Sequence, residues 1–99
     1  MNGYTYIMTN QTNKVFYIGA TANLVQRAQI HRERMDLLSF TARYRVNKLV
    51  YFEWFENLEY AFNREKQLKR LGRDQKIRLI DSLNPEWKDL FPDICKDSY

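Results

Sequence analysis

The sequence predicts a small α+β domain in which a three-stranded antiparallel sheet is flanked by helices, in the order β-β-α-β-α-α. Two short β-prone segments at the N-terminus are separated by a polar turn, and a longer run rich in aromatic and β-branched residues lies mid-chain. Segments with helical periodicity follow each of these regions. A chain of 99 residues can form one hydrophobic core. We therefore expect a single domain over residues 1–99, with its core over about residues 3–90 and a short C-terminal tail.

The first two strands are expected to form a β-hairpin. The β-prone runs 4–8 and 15–19 are separated by six polar, turn-forming residues. Alternation along the strands assigns the side chains to two faces. One face carries Thr5, Ile7, Phe16 and Ile18, and the opposite face carries Tyr4, Tyr6 and Tyr17. The hairpin can therefore place Tyr6 and Tyr17 side by side.

A helix capped by Thr21 or Asn23 is expected to run to about Leu37, because this stretch contains no glycine or proline. Its spacing predicts one buried stripe, formed by Leu24, Ala28, His31 and Met35. Arg27 lies about 60° to the side of that stripe, so Arg27 and His31 can face a common site. A polar connector, 39–47, leads into the strongest strand signal of the chain, 48–55.

Two further helices and a last turn complete the prediction. Asn57 can cap a helix that ends before Gly72, a typical residue just beyond a helix C-terminus. Asp74 can cap a helix over residues 75–83. Asn84 and the proline after it are typical of a cap followed by a short final turn.

The charge and cysteine content favour some classes of protein over others. Sixteen Lys and Arg against 12 Asp and Glu give a net charge of +4, which favours polyanionic partners without requiring them. The single cysteine, Cys95, cannot form an internal disulfide and is expected to be an inert residue in a reducing compartment. The N-terminus lacks a signal-peptide pattern, and no apolar run approaches the roughly 20 residues of a membrane span. We expect a cytoplasmic protein that does not contact membranes.

A carboxylate interrupts an apolar stripe on the second predicted helix. Leu58, Ala61, Phe62 and Glu65 occupy positions i, i+3, i+4 and i+7, and the last of these should be apolar on a core-facing stripe. An unpaired buried carboxylate costs several kcal/mol, so Glu65 is expected at the core edge with a partner. A divalent metal or Arg27 could be that partner, and a purely structural salt bridge is the alternative. A hard cation such as Mg²⁺ suits the first reading, because one or two carboxylates commonly hold it.

Other candidate residues have both a functional and a structural interpretation. A planar guanidinium at Arg27 suits phosphate contacts, although a solvated charge is the simpler reading. The imidazole of His31 could transfer protons at neutral pH or form a core-edge hydrogen bond. A basic stretch could track a phosphate backbone or simply form a solvated face, and it consists of Lys66, Lys69, Arg70, Arg73, Lys76 and Arg78. Contacts with nucleic acid are expected at the first four of these residues. The two tryptophans, Trp54 and Trp87, are expected to fill the core.

Taken in order, these residues resemble the GIY-YIG nuclease superfamily, and in particular its small stand-alone members, which look like the N-terminal incision domain of bacterial nucleotide excision repair. The resemblance covers roughly residues 3–90. Tyr4-Thr5-Tyr6 stands at the GIY position and Tyr17-Ile18-Gly19 at the YIG position. Arg27 follows in the first helix, Glu65 in a later helix, and Asn84 near the end.

The resemblance implies an Mg²⁺- or Mn²⁺-dependent endonuclease with one metal ion, acting on DNA with low sequence specificity, and a role in DNA repair. Tyr17 or Tyr6 would help to activate water, and Arg27 would stabilise the transition state. Glu65 would bind the metal, and Asn84 would order the site. RNA stays open as a second substrate class, and a protein partner could supply targeting.

Two departures from the family pattern bear on these roles. Tyr4 replaces the glycine of the GIY motif, and Ala20 stands where the repair incision domains commonly have a lysine. The second change removes a cation that could lower the pKa of Tyr17, which moves the expected proton transfer toward His31. The alternative function is a module that binds nucleic acid or a protein partner, retaining the fold with little or no catalysis.

Overall fold

A three-stranded antiparallel sheet with helices on both faces forms the centre of the computed structural model, which describes residues 1–33 and 44–96. The elements are β1 (Gly3–Thr9), β2 (Phe16–Thr21), α1 (Leu24–Glu33), β3 (Lys48–Phe55), α2 (Leu58–Arg70), α3 (Arg73–Leu83) and α4 (Phe91–Lys96). The predicted α+β class and the order β-β-α-β-α-α are confirmed, and α4 extends that order by one helix.

The sheet has the strand order β2-β1-β3, so β1 is central. In the hairpin Tyr6 pairs with Gly19, Ile7 with Ile18, and Met8 with Tyr17. Partners directly across a sheet share a face, so Tyr6 and Tyr17 lie on one face and Ile7 on the other, as predicted. A register shift between Ile7 and Met8 interrupts the pairing of β1 with β3.

Each face of the sheet supports its own hydrophobic cluster. The first cluster packs α1 and α4 against the tyrosine face and contains Tyr6, Met8, Leu24, Ala28, Val46, Leu49, Leu90 and Ile94. The second packs α2 and α3 against the opposite face and contains Ile7, Ile18, Val50, Tyr51, Leu68 and Ile80. The sheet therefore separates α1 from α2, and a site built from both helices must lie at a sheet edge.

The start of α1 agrees with its predicted cap, because the side chain of Asn23 accepts a hydrogen bond from the backbone of Gln26 at 3.1 Å. Leu24, Ala28 and His31 are buried as the spacing predicts. The fourth residue of the predicted stripe, Met35, and the predicted end at Leu37 lie outside the described residues, as does the first part of the connector 39–47.

Strand β3 has the predicted bounds, and its outer edge is partly covered by the chain after α3. The backbone N–H of Leu90 donates to the carbonyl of Leu49 at 2.7 Å. A carboxylate oxygen of Asp89 accepts from the N–H of Leu49 at 3.1 Å. Trp54, near the far end of the strand, is 54% exposed, so its predicted place in the core is wrong. Trp87 is half-buried against Phe16, with ring centroids 5.8 Å apart.

Helices α2 and α3 join differently from the prediction. Asn57 caps α2 as expected, accepting from the N–H of Glu59 at 2.8 Å. Gly72 has φ −69°, which is not the left-handed conformation, and it serves as the N-cap of α3. Its N–H donates to the side chain of Gln75 at 2.9 Å. Helix α3 therefore begins at Arg73, and the predicted cap at Asp74 is wrong.

Helix α4 lies where the sequence indicates only a tail. Its Ile94 is buried in the first cluster, beside Leu24 of α1. The segment after residue 90 therefore contributes to the core. Within the described part of the chain, no helix is long and apolar enough to cross a membrane.

Candidate active site

Tyr6 lies at the centre of the candidate site and is only 1% exposed. It points from β1 toward α1, and Gly19 lies opposite it on β2. A methyl group at Gly19 would lie 2.5 Å from the Tyr6 hydroxyl oxygen and 2.7 Å from Cζ, closer than real Cβ contacts come. Gly19 has no positive φ, so its role is to leave room for the Tyr6 ring.

Three rings meet on this face. The Tyr6 hydroxyl lies 3.2 Å from Nε2 of His31 and forms a buried hydrogen bond with it. The Tyr17 ring is 5.0 Å from the His31 ring and 6.2 Å from the Tyr6 ring, measured between centroids. The hairpin register supplies both tyrosines, and α1 supplies His31. The structure thus brings together three of the predicted site residues.

Arg27 joins this group from the preceding turn of α1, one helical turn before His31. Its guanidinium acts on the Tyr6 hydroxyl by charge and as a hydrogen-bond donor, and its charge also acts on His31. The side chain lies on an exposed part of α1, with the ring cluster behind it. Arg27 can therefore meet a ligand from solvent while contacting buried groups.

The environment holds Tyr6 and His31 in their neutral forms at pH 7. Burial raises the pKa of Tyr6 far above its ordinary value, and a negative charge at Tyr17 would raise it further, whereas Arg27 lowers it. Burial lowers the pKa of His31 to about 4, and the nearby Arg27 cation acts in the same direction. A protonated Tyr6 can donate to a neutral His31.

Glu65 approaches the same cluster from α2. Its negative charge raises the pKa of Tyr6, and its side chain is 19% exposed. A carboxylate oxygen of Glu65 lies 2.6 Å from the Lys69 ammonium, one turn later on α2. The expected placement at the core edge agrees with these contacts, and the ion-pair partner in the structure is Lys69. Phe62, expected on the same apolar stripe, is 45% exposed, so that part of the stripe is wrong.

The donor set at Glu65 fits a cation that is shared with a phosphate. Within residues 1–33 and 44–96, no group of three or more His, Cys, Asp or Glu side chains is arranged to hold a metal. Mg²⁺ usually keeps several waters and takes one or two carboxylates together with substrate phosphates. Glu65 provides one such carboxylate, and a bound cation would replace the Lys69 ammonium as the positive charge that balances it.

The hydrogen bonds of Asn84 go to the backbone of β3 and of the chain after α3, and none of these bonds joins the ring cluster. Its side-chain N–H groups donate to the carbonyls of Val50 at 3.1 Å and Lys88 at 2.8 Å, and its side-chain oxygen accepts from the N–H of Lys88 at 3.2 Å. The residue is 3% exposed. These bonds hold the chain after α3 against β3. The structure therefore shows Asn84 in a supporting position.

The four basic residues expected to contact nucleic acid are exposed but differ in their surroundings. Lys66 and Arg70 lie on the solvent side of α2. Arg73 stacks its guanidinium 4.6 Å from the centroid of the Phe16 ring and donates to the carbonyl of Asn13 at 3.4 Å. Lys69 lies next to the site through its ion pair with Glu65.

A lysine outside those four residues lines a groove next to Tyr17. Lys76, on the first turn of α3, lines a shallow groove with Phe16, Tyr17, Ile18 and Lys69. The sequence places Lys76 in the basic stretch but gives no sign of this position. Its approach to β2 depends on the early start of α3 after Gly72, which sequence periodicity does not reveal.

This arrangement is a small α+β domain in which a tyrosine pair, a histidine and an arginine meet, and the charge of one carboxylate acts on Tyr6. The family model described as the GIY-YIG catalytic domain matches residues 2–78. The chain belongs to the GIY-YIG nuclease family, and the expected family membership is confirmed.

Several known proteins resemble the chain over most of its length. A UPF0213 protein from Clostridium perfringens is 40% identical over 79 residues, covering 80% of this chain and 83% of that protein. A UPF0213 protein from Syntrophus aciditrophicus is 35% identical over 83 residues, covering 84% and 93%. The solution NMR structure of a UPF0213 protein from Bacillus halodurans superposes with a TM-score of 0.57 at 25% identity, covering 90% of this chain and 93% of that one.

Proposed function

We propose that this protein is a divalent-metal-dependent endonuclease that hydrolyses phosphodiester bonds in DNA with low intrinsic sequence specificity. The observation that carries the proposal is the meeting of Tyr6, Tyr17, His31 and Arg27 on one sheet face with Glu65 at its edge. Family membership supports a nuclease, and the site supplies groups suited to that chemistry. We place the reaction in the cytoplasm and expect its use in DNA repair.

Arg27 is proposed to bind the scissile phosphate. Its planar fork of donors suits phosphate oxygens, and it lies partly in solvent beside a buried hydroxyl. Charge on the phosphate oxygens grows in the transition state, so a fixed cation there lowers the barrier. The hydrogen bond to Tyr6 would hold the guanidinium in place while the phosphate binds.

Glu65 is the residue proposed to hold Mg²⁺ or Mn²⁺. When bound, such a cation acts as a Lewis acid on a phosphoryl oxygen and steadies the leaving oxygen. The protein contributes one negative charge, the Glu65 carboxylate, at the sheet edge beside the ring cluster. It also contributes Lys69, whose ammonium forms an ion pair with that carboxylate.

The pKa shifts of His31 and Tyr6 argue against both residues as the group that helps to activate water. A general base works best when its pKa lies near the operating pH, and the pKa of His31 is lowered to about 4. The raised pKa of Tyr6 keeps its proton on the hydroxyl. We infer that Tyr6 and His31 position each other, and that Tyr17, whose ring lies 5.0 Å from the His31 ring, helps to activate water.

A second candidate function is a nucleic-acid-binding module with weak or absent catalysis. The observation that favours it is the Glu65–Lys69 ion pair, which already neutralises the proposed metal ligand. On this reading Glu65 and Lys69 are structural, and the basic face provides salt-sensitive binding. RNA binding and a targeting partner would belong to either function.

Incubating the protein with several DNA structures and Mg²⁺ or Mn²⁺ tests the proposal, with Glu65→Gln and Arg27→Met compared with wild type. Glu59→Gln is the matched control, because it makes the same chemical change at an exposed position of α2. We expect cleavage by wild type and Glu59→Gln, and a loss of at least about 10²-fold for the other two variants. Equal cleavage by all four proteins would indicate contamination. Binding without cleavage under every metal would favour the second candidate.

A further inference from the structure

The groove beside the candidate active site has features of a phosphate-binding surface. It is a shallow groove at the edge strand β2, where Phe16, Tyr17 and Ile18 line it. Lys69 from α2 and Lys76 from α3 complete the lining. Aromatic and aliphatic groups beside two lysines suit the backbone of a nucleic acid, which combines sugars with phosphates.

The two lysines differ in how their charges are balanced. The positive charge of Lys69 is balanced by its ion pair with Glu65. Lys76 forms no ion pair with any described residue, and its side chain is half-buried against the groove. A partly buried ammonium without a protein counter-ion is stabilised when an anion binds in the groove and pairs with it. Arg73, stacked on Phe16, adds a further positive charge nearby.

The groove is continuous with the proposed active site through two residues. Tyr17 lines the groove and packs its ring against His31. Lys69 lines the groove and pairs with Glu65, whose charge acts on Tyr6. A strand of nucleic acid with one phosphate at Arg27 and Glu65 would therefore continue into the groove as it crosses the edge of β2.

We propose that this groove binds the backbone phosphate next to the scissile phosphate on the cleaved strand, with Lys76 as the main contact and Lys69 as a second one. The inference rests on the proposed nuclease function and adds to it the path of the substrate strand. Lys76 contacts the neighbouring phosphate only, so it determines affinity and position and leaves the hydrolytic groups unchanged.

Salt-dependent binding of a DNA oligonucleotide tests the groove without cleavage. Binding is measured in EDTA over a range of salt concentrations for wild type, Lys76→Ala, Lys76→Arg and the control Lys88→Ala, which removes an exposed charge near α4. For Lys76→Ala we expect about tenfold weaker binding at low salt and a slope of log K against log salt that is smaller by about 0.7–0.9. Lys76→Arg should restore both values.

A neutral methylphosphonate next to the scissile phosphate locates the contact. It should slow cleavage by wild type, and it should have little further effect on Lys76→Ala if Lys76 contacts that phosphate. The inference would be overturned if wild type cleaves DNA but Lys76→Ala and Lys88→Ala show the same slope of log K against log salt. The nuclease proposal would stand in that case. If no protein cleaves with any metal, the nuclease proposal fails, and the slopes still decide whether Lys76 binds phosphate.

Discussion

Replacing Gly19 by alanine tests whether the space beneath the Tyr6 ring sets the geometry of the site. The added Cβ would lie 2.5 Å from the Tyr6 hydroxyl oxygen and 2.7 Å from Cζ. Carbon contacts are most favourable at about 3.5–4.0 Å, so the ring must move by roughly 1 Å. Tyr6 is buried on all sides, and its bond to His31 is already 3.2 Å long, so such a shift would break it.

The expected cost follows from those distances. Overpacking of this kind lowers the free energy of unfolding by about 1–3 kcal/mol, and the lost hydrogen bond adds roughly 1 kcal/mol. A displacement of about 1 Å among catalytic groups can slow catalysis by about 10²-fold. Urea unfolding measures the first effect, and the initial rate of DNA cleavage under native conditions measures the second.

Two other glycines provide matched controls. A Cβ at Gly72 would meet only the Gln75 side chain at 3.8 Å, so Gly72→Ala should cost no more than the loss of a glycine N-cap, about 1 kcal/mol or less. A Cβ at Gly3 would lie 2.7 Å from Cδ1 of Leu58 and 3.1 Å from its Cα, so Gly3→Ala should lose stability while the folded protein still cleaves. Gly19→Ala with wild-type stability and cleavage would refute the proposed packing.

Three further results are expected. NMR titration of the His31 ring should give a pKa of about 4, and Arg27→Met should raise it. The pKa of His31 in the folded protein lies below the ordinary value of about 6.5, so the unfolded chain binds the proton first as the pH falls. The free energy of unfolding should therefore decrease between pH 6.5 and 4, by up to about 3 kcal/mol. Urea unfolding of His31→Gln should lack this decrease. Asn84→Ala should lower the unfolding free energy by about 2–3 kcal/mol, since it leaves backbone groups of a buried network unpaired. Phe62→Ser should change it by less than about 1 kcal/mol and Leu68→Ala by about 2–5 kcal/mol, because the first side chain is exposed and the second fully buried; equal losses would contradict the observed phase of α2.

Local sequence patterns predicted the strands and the residues that meet at the site. Alternation in the hairpin assigned Tyr6 and Tyr17 to one face, and the helical spacing placed Arg27 next to His31. Both patterns act over a few residues, where backbone geometry leaves few choices. The position of Glu65 at the core edge followed from its neighbours on the helix.

Other features depend on contacts between distant segments and could not be predicted. The phase of α2 against the sheet decides that Phe62 is exposed, and periodicity alone does not fix that phase. Gly72 suits the end of one helix or the start of the next, and packing selects the second. Helix α4 has six residues, too few to show a periodic pattern, and its stability comes from burial of Ile94. The pKa of His31 likewise depends on burial in the folded protein.

The segment that covers the outer edge of β3 has a consequence for how the domain can be shortened. Backbone groups of Leu49 and Val50 at this edge form hydrogen bonds with Asn84, Asp89 and Leu90. Without these partners, the edge would present unpaired backbone groups to other molecules. The family match ends at residue 78, before all three. A chain truncated there would retain the tyrosines, Arg27 and Glu65 but expose a strand edge rich in aromatic residues. We expect such a fragment to self-associate through β3, so the minimal protein for functional work should extend beyond α3 to include this covering segment.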